Sequence, residues 1–261
     1  MAEQAAKIKL AVLQKLGKKD EADLLIQQSI VHPNIREIYL KDLFSAKKID
    51  EAKKIAREGI LVAKGKDHPG TGRRFEEWLY RIAEAEKDIT TIRKFLRKFY
   101  LDRHDLSDFQ KLKGSFKNDK QLWKEEFEML VAGLRKNGSN WALLDLFIAE
   151  EKWEDFLNQI LEACRKEQKF FYPSNGNLGL IERYEKILHE HFPENLITLY
   201  AEEIQKSLKG APQGRGHYQY VCRLLRRMKK WGAEETVKKI KEDIANIYAV
   251  RKALLDELSR V

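Results

Sequence analysis

Apolar residues recur at helical spacing along almost the whole chain, and no segment shows the sustained alternation of a half-buried strand. One typical stripe consists of Ile49, Ala52, Ile55, Ala56 and Ile60. Its members are three or four residues apart, so they share one helix face. Proline and glycine are scarce, and the five prolines lie between stripes, where a missing N–H costs little. The pattern predicts an all-α fold with short connections and antiparallel neighbouring helices.

The same spacing assigns further aliphatic residues to stripes and therefore to the expected core. Among them are Leu16, Leu24, Leu122 and Ile247. The aromatic residues also sit at helical spacing or beside turns, which favours packing between helices over base stacking.

A short sequence recurs before five of the seven predicted second helices. Residues 16–22 (LGKKDEA) return as residues 46–52 (AKKIDEA), and more loosely near residues 88, 153 and 234. With Lys120 and Glu194 added, the second helices are expected to begin near residues 20, 50, 88, 120, 153, 194 and 234. A step of about 30 to 40 residues is the period of a helix–turn–helix repeat. The pattern resembles tetratricopeptide-type repeats, although no single copy carries their full residue set.

The repeated segment has a physical explanation. An acid at the start of a helix accepts hydrogen bonds from free N–H groups and suits the positive end of the helix dipole. The alanine that follows allows the paired helix to approach closely. The sequence therefore predicts αα-hairpin repeats stacked as a right-handed, tetratricopeptide-like α-solenoid. We expect one domain over residues 1–261, with a possible subdivision into repeats 1–170 and repeats 171–261.

Composition limits the environment and the partners. Charged residues make up 35% of the chain, and the net charge is +9. This charge permits contact with nucleic acid, an anionic membrane surface or an acidic protein. Cys164 and Cys222 have no nearby companions, so they predict neither a disulfide framework nor a zinc cluster and suit the reducing cytoplasm. The sequence contains no run of about 18 apolar residues, so we expect no membrane-spanning helix and no membrane partner.

No catalytic motif stands out, so we expect no enzymatic activity, no cofactor, no metal and no small-molecule substrate. The best metal-like cluster is Glu185, His189, Glu190 and His191, but its spacing does not close a site and favours a polar helix end. The glycine-rich loop 65–74 follows a helix and lacks the Gly-Lys-Ser/Thr order of a phosphate cradle. Thr71 is expected to cap the next helix.

The most specific signal is a basic helix near the C-terminus. No acid occurs between Glu203 and Glu234. Tyr218, Val221, Cys222, Leu225 and Met228 fall on one side of this helix, and Arg223, Arg226, Arg227 and Lys230 on the other. The cations either bind phosphates or an acidic partner, or they are solvated or paired with carboxylates of neighbouring helices.

A second basic face carries the same alternatives. It consists of Arg93, Lys94, Arg97 and Lys98, behind Phe95 and Phe99.

Three C-terminal segments carry a family resemblance: residues 214–218 (GRGHY), 224–230 (LLRRMKK) and 248–258 (YAVRKALLDEL). Together they resemble the C-terminal helical region of bacterial SWIM zinc-finger proteins, where a basic helix and an ending like Arg-Pro-Ala-Leu-x-Asp-Glu-Leu recur. Lys252 stands at the position of that proline. The finger needs Cys-x-Cys and a later Cys-x-His, which this chain lacks, so no zinc function carries over. The resemblance implies nucleic-acid or protein binding.

These observations predict a non-catalytic helical-repeat scaffold that mediates protein–protein interaction. The alternative is a nucleic-acid-binding helical repeat that uses the two basic faces.

Overall fold

The computed structural model describes residues 2–65, 69–117, 119–165, 176–209 and 214–261. Over these residues the chain forms fifteen α-helices and no strand, which confirms the all-α prediction. None of the helices that the structure describes combines the length and apolarity that crossing a bilayer requires.

The chain divides into two compact units, Met1–Ser139 and Asn140–Val261. The first contains α1 (Ala2–Lys15), α2 (Lys19–Ser29), α3 (Pro33–Ser45), α4 (Ile49–Gly65), α5 (Pro69–Glu86), α6 (Ile89–Arg103), α7 (Leu106–Phe116) and α8 (Lys120–Lys136). The second contains α9 (Asn140–Ala149), α10 (Trp153–Arg165), α11 (Gly176–His191), α12 (Pro193–Leu208), α13 (Arg215–Lys230), α14 (Glu234–Ile247) and α15 (Lys252–Leu258).

The division lies after Ser139, whereas the sequence pointed to one domain with a possible subdivision at residue 170. The reason is that packing, rather than loop length, defines a unit. Helix α10 packs against both α9 and α11. Phe156 of α10, for example, meets the ring of Tyr184 of α11 edge-on, with centroids 5.4 Å apart. Helices α9 and α10, which precede residue 170, therefore belong to the same unit as the helices that follow it.

The second helices begin where the sequence analysis predicts them. Every observed start lies within one residue of the expected one: Lys19, Ile49, Ile89, Lys120, Trp153, Pro193 and Glu234. The alanine after the turn is buried in the first two copies, at Ala22 and Ala52.

One turn geometry recurs six times. Its central residue has a positive φ between 52° and 80° and is Gly17, Lys47, Lys87, Gly138, Glu151 or Gly232. At Lys47 the N–H donates to the carbonyl of Phe44 at 3.1 Å, and the next N–H, of Lys48, donates to Leu43 at 2.9 Å. This pair of bonds is the Schellman motif, which satisfies the free carbonyls at a helix end.

The same turn also starts the following helix. The carbonyl of Lys48 accepts from the N–H of Ala52 at 3.0 Å. One residue therefore closes the first helix with its N–H and opens the second with its C=O. The repeated sequence encodes this connection.

Close helix packing follows each turn. In the first unit, Leu43, Ala52, Phe75 and Trp78 belong to one core cluster. Gly59 brings α4 onto α5, because a Cβ atom there would lie 2.6 Å from the ring of Phe75.

Some residues assigned to stripes do not reach the core. Leu16, Leu24, Leu122 and Ile247 are exposed. Helical spacing determines that residues share a face, but it does not determine that another helix covers that face.

The cap expected at Thr71 is also wrong. Helix α5 begins at Pro69, so Thr71 lies inside its first turn. Proline is favoured at this position because its φ angle already suits a helix and its missing N–H is not needed there.

Candidate binding face on helix α13

Helix α13 has a buried and an exposed side, as its sequence predicts. Its buried side chains are Tyr218, Val221, Cys222, Leu224, Leu225 and Met228. They face a core to which α12, α14 and α15 also contribute, since α13 contacts all three helices. The cations Arg227, Lys229 and Lys230 occupy the last turn, where they suit the negative end of the helix dipole. The six buried side chains therefore anchor α13, and its basic side is left outside the core.

Three of the four predicted cations on α13 are exposed: Arg223, Arg226 and Lys230. Arg223 lies over the ring of Tyr220, with its guanidinium carbon 5.1 Å from the ring centroid. Arg226 approaches the backbone carbonyl of Arg260 at 3.4 Å. In the part of the chain that the structure describes, no carboxylate lies at ion-pair distance from Arg223, Arg226 or Lys230. We call these three residues the α13 face.

Arg227 differs from the other three because it is paired inside the second unit. It forms an ion pair with Glu185 and lies 3.5 Å from Glu182. Glu185 also accepts from the hydroxyl of Tyr200 at 2.7 Å, and Glu182 accepts from Tyr220 at 2.6 Å. Burial and the hydrogen bond to Glu182 raise the pKa of Tyr220. Arg227 thus helps to join α13 to α11, so for this residue the alternative of pairing with carboxylates of a neighbouring helix applies.

The other end of α13 is tied to α15. Arg215 donates from Nε to Glu257 at 2.7 Å and also pairs with Asp256. Gln219 donates to the same Glu257 at 3.2 Å. The hydrogen bond from Arg215 lowers the pKa of Glu257, whose side chain is buried. Two of the segments that carry the SWIM resemblance therefore contact each other.

The second predicted basic face, on α6, is mostly occupied by intramolecular contacts. Arg93 donates to the carbonyl of Ser115 at 2.7 Å and stacks over Phe116. Arg97 pairs with the buried carboxylate of Glu126.

Lys98 on the same helix is paired as well. It contacts Glu76 at 2.6 Å and Asp102 at 3.0 Å. Lys94 is exposed. Three of these four cations therefore stabilise the fold, because neighbouring helices supply the acids and carbonyls that the local sequence lacks.

The residues of the metal-like cluster point to different partners. The ring of His191 stacks on Trp153 with centroids 3.9 Å apart, and the ring of His189 lies 5.3 Å from that of Trp231. Glu185 is held by Tyr200 and Arg227. Among the described residues, no group of three or more His, Cys, Asp or Glu side chains is placed to hold a metal ion.

Both cysteines are buried and free of disulfides. Burial raises the pKa of Cys164 to about 12 and that of Cys222 to about 11. A protonated, inaccessible thiol is a poor nucleophile. Part of the glycine-rich loop, residues 66–68, lies outside the described residues.

Comparison with known proteins identifies no relative of this chain. No protein-family model, no curated protein and no solved structure matches this chain. The resemblances to SWIM proteins and to tetratricopeptide-type repeats stay predictions.

The structure also exposes a surface that the sequence analysis missed. Ile8 and Val12 of α1 are exposed, together with Leu16 directly after that helix. The sequence signal for this surface is the constant spacing of four residues, which places the three side chains in one row along the helix.

Proposed function

We propose that this chain is a non-catalytic helical-repeat scaffold that binds an acidic segment of another protein through the α13 face. The observation that carries the proposal is the state of Arg223, Arg226 and Lys230. All three are exposed and without a carboxylate partner in the described part of the chain, on a helix fixed by six buried side chains. An acidic partner would supply the missing charges.

Helix contacts support the repeat architecture. In the first unit each helix packs against the next, and α1 also contacts α3, which contacts α5. Contacts between neighbours and between next neighbours are those of stacked hairpins. We propose that the hairpins stack in the manner of a tetratricopeptide-like solenoid. The two buried thiols suit a reducing compartment, and we place the protein in the cytoplasm on that ground.

Arginine binds carboxylate and phosphate groups alike, so the surroundings of the α13 face decide between an acidic peptide and a nucleic acid. Two of its members are arginines, whose planar guanidinium groups can each form two parallel hydrogen bonds with a carboxylate. Glu182 and Glu185 lie beside the face, where they neutralise Arg227. These acids would repel a continuous phosphate backbone that crosses from the face towards α11. The α6 face no longer supports nucleic-acid binding, since three of its four cations are paired.

The test removes the three charges and spares Arg227, whose loss would unpair Glu185. We expect the variant Arg223→Gln, Arg226→Gln, Lys230→Gln to bind a fluorescent oligo-glutamate peptide at least about tenfold more weakly than the original protein, with an unchanged circular dichroism spectrum. The matched control removes the same charge from exposed lysines of the other unit: Lys54→Gln, Lys124→Gln, Lys136→Gln. Equal weakening in both variants would mean that only net charge matters, and the assignment of the face would be wrong.

Nucleic-acid binding is the second candidate, because the three cations of the α13 face would also pair with phosphates. Each phosphate contact on duplex DNA gives a slope of about −0.9 in log K against log salt, so three contacts predict about −2.7. If duplex or single-stranded DNA binds more tightly than the peptide at about 0.15 M salt, and the triple variant loses that binding, nucleic acid is the partner.

A further inference from the structure

Helix α1 is apolar on two sides. Leu10 and Leu13 are buried in a core cluster with Ile26 and Ile35. On another side, Ile8, Val12 and Leu16 are 58%, 51% and 64% exposed. Leu16 continues the helical bonding, because its N–H donates to the carbonyl of Val12 at 3.0 Å. We call Ile8, Val12 and Leu16 the α1 ridge.

The spacing of the α1 ridge suits contact with another helix. Residues four apart form a row that turns by only about 40° per step, and such rows are the ridges that fit into grooves of a second helix. Other exposed aliphatic side chains in the described ranges, such as Leu61 on α4, do not continue into a row of three. A ridge of three aliphatic side chains in line is the pattern that a docked helix covers.

The charges beside the α1 ridge are positive. At 100° per residue, Lys15 lies about 20° to one side of Ile8, and Lys9 lies about 20° beyond Leu16. Both lysines are exposed. The acid on α1, Glu3, is engaged elsewhere, since it accepts from the backbone N–H of Asn34 at 3.0 Å. The ridge is therefore bordered by cations on both sides.

We propose that the α1 ridge docks an amphipathic helix of another protein, whose apolar stripe is bordered by aspartate or glutamate. Such a helix would cover Ile8, Val12 and Leu16 and pair with Lys9 and Lys15. This surface is separate from the α13 face, and it gives the proposed scaffold a second partner site of defined chemistry.

Charge argues against one other occupant, and the shape and residue types of the ridge argue against another. A second copy of α1 would place lysines against lysines along both borders, which is unfavourable. A membrane surface is recognised by broad apolar faces that commonly include tryptophan or phenylalanine, whereas this ridge contains three aliphatic residues and spans an arc of about 80°.

The experiment uses the full chain and two synthetic helical peptides, held helical by side-chain cross-links. Both peptides carry the same leucine stripe. One is bordered by glutamate and the other by lysine. We expect the protein to bind the glutamate-bordered peptide at least about tenfold more tightly. The variant Ile8→Gln, Val12→Gln, Leu16→Gln should lose this binding, while Leu61→Gln, Leu122→Gln, Met129→Gln, which also removes three exposed apolar side chains, should retain it.

Reversing the charge of the bordering lysines tests the role of charge more directly than removing the apolar side chains. The variant Lys9→Glu, Lys15→Glu should reverse the preference, so that the lysine-bordered peptide binds more tightly. The α13 triple variant should bind the peptides as the original protein does, so failure of the α13 proposal leaves this test intact. Equal binding of both peptides, or retention by the ridge variant, would overturn the proposal. So would a dimer in light scattering, or binding to phosphatidylserine vesicles, that the ridge variant abolishes.

Discussion

Arg97 on α6 and Glu126 on α8 form a two-point ion pair, with Nε of the arginine on one carboxylate oxygen and Nη2 on the other. The carboxylate is buried and the guanidinium is half-buried. The hydrogen bond that Arg97 donates to Glu126 raises the pKa of Arg97. A residue that the sequence places on a basic binding face thus joins two helices of the first unit.

This pair predicts a large effect for Arg97→Ala. The substitution leaves the buried carboxylate of Glu126 without its partner, which should lower the free energy of unfolding by about 3 kcal/mol, the lower end of the range for a broken buried pair, because the guanidinium is partly exposed. The neighbouring control Lys94→Ala removes an exposed cation and should change it by no more than about 0.5 kcal/mol. Urea unfolding measures both. The double variant Arg97→Leu, Glu126→Leu should recover most of the loss, and a loss as large as that of the single variant would argue against the pair.

The recurring turn makes a second prediction. Lys47 adopts a φ of 58°, where glycine has no steric penalty. Lys47→Gly should therefore raise the free energy of unfolding by about 1 kcal/mol, and Gly17→Ala at the equivalent position should lower it by a similar amount. No other atom lies within 4 Å of a Cβ at Gly17, so its effect reports the backbone alone. Lys54→Gly inside α4 is the control and should destabilise by about 1 kcal/mol. If Lys47→Gly also lowers the free energy of unfolding, the positive φ of Lys47 does not reduce the stability of the protein.

Close packing at Gly59 gives a third prediction. A Cβ there would lie 2.6 Å from Phe75 Cδ2 and 2.8 Å from Arg36 Cδ. Gly59→Ala should therefore destabilise the protein by about 1 to 3 kcal/mol through overpacking. Gly114→Ala, in a helix with open space around it, should be neutral or stabilising. Thermal unfolding of the two variants distinguishes packing from helix propensity, and equal melting temperatures would contradict the close contact.

Stability should depend on the protonation of His217. Its Nε2 is buried without a hydrogen-bond partner in the described part of the chain, and burial lowers the pKa of this histidine below its usual 6.5, against an opposing hydrogen bond with the backbone of Ser207. As pH falls through 6.5, the unfolded chain binds the proton first, so the free energy of unfolding falls until the folded pKa is reached.

The variant His217→Gln should remove this part of the pH dependence between about pH 7 and pH 5, whereas His104→Asn, at an exposed position, should retain it. Urea unfolding at several pH values measures the difference. The same pH profile for His217→Gln and the original protein would contradict the assignment.

Local sequence signals predict the helices and most of the turns that connect them. The starts of α2, α4 and α10 follow from local signals, because a positive-φ turn, its two hydrogen bonds and the next helix all lie within a few residues of each other. Helical spacing likewise identified the buried side of α13, since the identity of the covering helix does not change which residues share a face.

Which polar residues are paired, and which apolar residues are covered, depends on packing between helices. Arg223 and Arg227 stand four apart on one helix, yet Arg223 rests on a tyrosine ring while Arg227 reaches two acids of α11. The acid that pairs with Arg97 lies on another helix as well. Leu13 and Leu16 look equivalent in the sequence, but helices cover only Leu13. Pairing and covering depend on side chains that are distant along the chain, and a helical period contains no information about those neighbours.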